Sequence, residues 1–99
     1  MLLRKYRPCQ ETFINMEVTR LISVFDKRTE NLLEEINVDH ISLEILQNIF
    51  KPEIDDPFMI KVYPITAKEL KILNDSLNPK IIYNFDKNIY QLDCFKPES

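Results

Sequence analysis

Three carboxylates fall within four residues of the stretch Glu53-Ile54-Asp55-Asp56-Pro57-Phe58, with no basic residue among them. Such groups can hold a hard cation, exchange protons as an acid/base pair, accept backbone N–H groups in a turn, or face a cationic partner. A calcium or magnesium loop needs a longer spaced series of oxygen ligands, which this stretch lacks. A hydrolytic carboxylate pair needs two carboxyls opposed across a pocket, and neighbours on one turn do not provide that. Two compatible roles remain. Asp55 or Asp56 caps a turn in which Pro57 is the first residue of a helical turn, and the cluster faces outward to a partner.

The other reactive side chains are sparse. His40 is the one histidine. With no recognisable nucleophile or orienting group to serve it, it is read as a boundary residue ahead of a helix. Cys9 and Cys94 lack the close spacing of a metal pair and are expected to be thiols, not a disulfide. Tyr63, Tyr83 and Tyr90 are expected to pack in a sheet, with one or two placed to anchor an interface. Glycine is absent from all 99 residues, which excludes the phosphate loops, dinucleotide fingerprints and nucleophile elbows that require a residue without Cβ. No catalytic residue, cofactor or metal site is assigned, and the chain is not expected to be an enzyme.

The net charge of −3 hides an uneven layout. Residues 1 to 28 carry six basic and three acidic side chains, whereas residues 29 to 60 carry Lys51 against eight acidic ones. From the second group Glu34, Glu35, Glu44, Glu53, Asp55 and Asp56 form the candidate partner-binding set. Neighbouring elements in sequence are usually neighbours in space, so this middle third is expected to create a negative field on one side. A field of that sign speeds encounter with a basic protein and repels phosphate backbones, so direct nucleic-acid binding is not expected. The short basic cluster Arg4-Lys5-Tyr6-Arg7 is read as a solvated or internally paired tail.

These residues must be positioned by elements that the patterning makes explicit. Residues 18 to 25 alternate as a strand, with Val18, Ile22 and Val24 opposite Leu21 and Phe25, and residues 31 to 38 return as its hairpin partner. Asp26 is placed to fix the turn between them. A helix starts after Ser42, with Ile41 and Leu46 at staple positions, Leu43, Leu46, Ile49 and Phe50 inward, and Pro52 as its stop. A short strand over 59 to 64 follows. Thr66 and Glu69 have capping-box spacing for a helix over about 67 to 77, whose inner face is Leu70, Leu73 and Leu77. Two more strands, 80 to 85 and 89 to 95, flank the turn Asp86-Lys87-Asn88. Positive-φ turns are expected at Asn78, Asn88 and Asp26, the tolerant types in a chain without glycine.

The expected fold is α+β: a mainly antiparallel sheet of about five strands with two helices, in the order β-β-α-β-α-β-β. Residues 16 to 95 form its single domain. Residues 1 to 15, in which Phe13 and Ile14 can dock or add an edge strand, are an extension, and 96 to 99 are a tail. No apolar stretch is long enough to cross a bilayer. The opening residues lack the apolar core and cleavage site of a secretory signal, so a cytoplasmic location without membrane association is expected.

The motifs "FDKRTENLLEEI", "SLEILQNIF", "DDPF" and "YPITAKELKIL" together resemble a family of small bacterial domains of uncharacterised function. The resemblance covers roughly residues 20 to 75. Its members are similar to the immunity proteins of bacterial toxin systems, including contact-dependent inhibition. It implies a cytosolic protein that binds and neutralises the C-terminal domain of a cognate toxin, without cofactor. A basic nuclease domain is the partner that best fits the charge. The apolar "FMIKV" after "DDP" and the N-terminal extension depart from the family pattern. The alternative is a regulatory or assembly module that self-associates through an exposed sheet edge.

Overall fold

The computed structural model describes residues 6–8 and 18–97, with side chains for 18–95. In chain order its elements are β1 (Tyr6–Pro8), β2 (Thr19–Asp26), β3 (Leu32–Asn37), α1 (Leu43–Phe50), β4 (Tyr63–Ile65), α2 (Ala67–Leu73), a 3-10 turn (Asn74–Ser76) and β5 (Asn88–Pro97). The class is α+β, an antiparallel sheet with two helices. β5 is its hub. It pairs with β2 along one side, and on the other with β4 opposite residues 90–92 and β1 opposite residues 95–97. β3 pairs with the far side of β2 and is the other edge among the described residues. None of the helices there is long and apolar enough to cross a membrane.

Alternation along β2 builds the core. Ile22 and Val24 point to one face, where Tyr90 and Leu92 of β5 join them, and the helices contribute Leu46, Leu70 and Leu73, all fully buried. Each such side chain taken from water stabilises the fold by about 1.5–3 kcal/mol before entropy is counted. The hairpin turn forms as expected: the Asp26 carboxylate accepts the N–H groups of Arg28 and Thr29, each at 2.8 Å. Those two bonds, the Thr29 amide foremost, lower the Asp26 pKa. Ser42 caps α1 by accepting the Ile45 N–H at 3.3 Å, and the staple residues Ile41 and Leu46 are both buried.

Four of the five strands expected within residues 16 to 95 form, and residues 80 to 85 do not. Side chains bond the backbone groups of Ile81 and Asn84 there. Asn74 bridges Ile81 in both directions, donating to its carbonyl at 3.1 Å and accepting its N–H at 2.8 Å, while the Tyr90 hydroxyl accepts the Asn84 N–H at 3.0 Å. Helix α2 ends at Leu73 and winds on as a single 3-10 turn to Ser76, one residue short of the expected 77. Strand β4 is shorter than the expected 59 to 64, and β5 runs two residues into the expected tail. Among the described residues the left-handed positions are Glu30, Lys51 and Met59, not Asn78, Asn88 and Asp26. At Lys51 the cause is local: Pro52 disfavours right-handed α geometry before it, and the left-handed turn lets the Lys51 N–H close on Gln47 O at 2.8 Å. Cys94 is buried, and Cys9, Phe13, Ile14 and the basic cluster at 4 and 5 lie outside the described residues.

Candidate functional site

Between α1 and β4 the chain makes two consecutive turns. The Asp56 N–H donates to Glu53 O at 2.9 Å, and the Met59 N–H to Asp56 O at 3.1 Å, so Ile54-Asp55 and Pro57-Phe58 occupy the corners. Pro57 suits the first corner because its ring fixes φ near the value that position requires. Asp56 joins the turns and turns its side chain inward, where it is 2% exposed. Its carboxylate accepts the Ile60 N–H at 3.0 Å, the Lys61 N–H at 3.2 Å and the Tyr63 hydroxyl. A buried carboxylate is tolerated when donors replace the water it loses, and charge-assisted bonds of this kind are among the stronger ones.

Further tethers come from both layers. Gln47 of α1 donates to Pro57 O at 2.6 Å, and the Arg20 guanidinium of β2 donates to Phe58 O at 2.7 Å. Met59, in the left-handed region at φ 53°, inserts into the core at 1% exposure. The cost of that backbone conformation in a residue with a Cβ is offset by the burial of its side chain. Tyr63 packs its ring on Phe50, with centroids 5.9 Å apart. Burial, and then its bond to Asp56, push the Tyr63 phenol well above the ordinary tyrosine range.

What this scaffold holds outward is apolar as well as acidic. Ile54 is 100% exposed, Phe58 64% and Val62 58%. Glu53 and Asp55 stand beside them, also exposed. Asp55 accepts a hydrogen bond from Lys61 at 3.0 Å; that bond and the charge behind it hold the Asp55 carboxyl below, and the Lys61 ammonium above, their usual values.

The six carboxylates of the candidate set do not form one cluster. Asp56 leaves the outward surface altogether, because its three donors lie inside the loop. Glu34 and Glu35 are adjacent on β3 and so point to opposite faces of the sheet. Glu34 is exposed on the helix-bearing side, whereas Glu35 is half-buried on the reverse, in register with Ser23. Glu44 lies in the first turn of α1, and Glu53 and Asp55 lie beyond its other end, roughly 12 Å along the helix axis. Glu53 and Asp55 are thus the two that the fold brings together.

Ile54, Phe58 and Val62 were not legible as a site in the sequence, because Val62 falls in the expected strand 59 to 64 and the others beside it. The signal was the proline-containing acidic turn next to apolar residues. A second concavity lies at the end of the sheet where the two Phe-Asp-Lys turns meet, with the Lys27 N–H on Lys87 O at 2.8 Å. Asp26, Lys27, Arg28, Asp86 and Lys87 line it. No group of three or more His, Cys, Asp or Glu placed to hold a metal ion occurs among the described residues.

A family model described as "Domain of unknown function (DUF7683)" matches residues 19–93. The match contains the span read above as a family resemblance and continues through β5 to Asp93. Its description names no activity. No curated protein and no solved structure matches the chain.

Proposed function

We propose that this chain, which belongs to the DUF7683 family, is an immunity protein that binds the C-terminal domain of a cognate bacterial toxin and neutralises it. The loop from Glu53 to Val62 is the contact surface, and the protein acts by occlusion, not turnover. One observation carries this reading. Three apolar side chains are held in water by a loop whose backbone is fixed from beneath by a buried carboxylate. Exposed apolar groups gathered on one feature and rimmed by charge are typical of protein-binding surfaces. Fixing the loop before contact reduces the ordering cost of association.

The chemistry divides between the two kinds of side chain. Phe58 and Ile54 act as anchors that are desolvated in the complex, whereas Glu53 and Asp55, with Glu44 further off, select a basic partner and speed its approach. A nuclease domain has such a basic surface, because it must hold nucleic acid. The protein works in the cytoplasm, where an incoming toxin meets its target.

The test is co-expression with the C-terminal domain encoded by the gene immediately upstream. Cells carrying the toxin domain survive with the unsubstituted chain, and Phe58→Ala weakens the complex by about 2 kcal/mol, as expected of a central anchor. Survival without this chain, or a Phe58→Ala complex of unchanged affinity, contradicts the reading. The alternative, self-association, has the edge strand β3 in its favour, and a mass by light scattering that rises with concentration in the absence of any partner is its signature.

A further inference from the structure

We draw no further inference here: the strongest candidate, the open concavity where the two Phe-Asp-Lys turns meet at the end of the sheet, sets Asp26 and Asp86 beside Lys27, Arg28 and Lys87, and nothing in the structure shows which charge of ligand it would take.

Discussion

At the scale of single residues, Asp56 and Tyr63 hold the account together. Asp56→Asn keeps the shape but replaces an acceptor of three bonds with an amide that turns a donor toward them. It should lower stability by about 2 kcal/mol in urea unfolding, the range for hydrogen bonds to a charged group. The Ile60 and Lys61 amides should then exchange faster than those of β2. Tyr63 supplies a titration. Its pKa in the folded chain is raised above the unfolded value, by burial first and the Asp56 bond second. The stability it contributes is therefore fully present below the ordinary tyrosine value of about 10 and is lost as pH rises from there through the folded value. Ultraviolet titration should show one tyrosine ionising only with unfolding, and Asp56→Asn should bring it down. The sequence did mark Asp55 or Asp56 as a turn cap. It could not say which, because that depends on Tyr63, seven residues away, reaching back to Asp56 and not to its neighbour.

At the scale of elements, local signals fix the starts of both helices and the end of α1 before Pro52. The cap of α2 was readable from spacing alone: the Glu69 carboxylate accepts the Thr66 N–H at 2.8 Å and its hydroxyl at 2.5 Å. Burial alone raises the Glu69 pKa, but the hydroxyl and amide of Thr66 outweigh it and the net shift is downward. The cap therefore contributes stability above the ordinary glutamate pKa and loses it as pH falls through the lowered one. Glu69→Gln should cost about 1 kcal/mol at neutral pH and much less in acid, compared by urea midpoints at the two pH values. The expectation and the structure differ most over the stretch of residues 80 to 85, which forms no strand. Its alternation is that of a strand, but Asn74 and Tyr90 supply the hydrogen bonds a neighbouring strand would otherwise provide. Asn74→Ala should release that segment, lowering protection of the Ile81 amide while leaving β2 and β5 unchanged.

At the scale of the whole molecule, the acidic middle of the chain is distributed from the β3 edge, across the start of α1, to the loop beyond it. A field built this way acts at a distance, while contact energy is concentrated where apolar groups project. The two contributions separate in kinetics. Glu44→Gln with Glu53→Gln should slow association with the toxin domain and flatten its salt dependence while leaving dissociation nearly unchanged. Phe58→Ala should do the reverse and speed dissociation. The charge is legible in the sequence and the projection is not, because patterning assigns apolar residues to helices and strands and does not foresee a loop fixed from below. The most direct measurement is calorimetric titration of the upstream-encoded toxin domain into the unsubstituted chain and into the Ile54→Ser, Phe58→Ser double variant, with unfolding midpoints measured in parallel. The loop account predicts equal midpoints and binding weakened by about 100-fold or more, as two central anchors are lost; equal midpoints with affinity unchanged within about two-fold would contradict it.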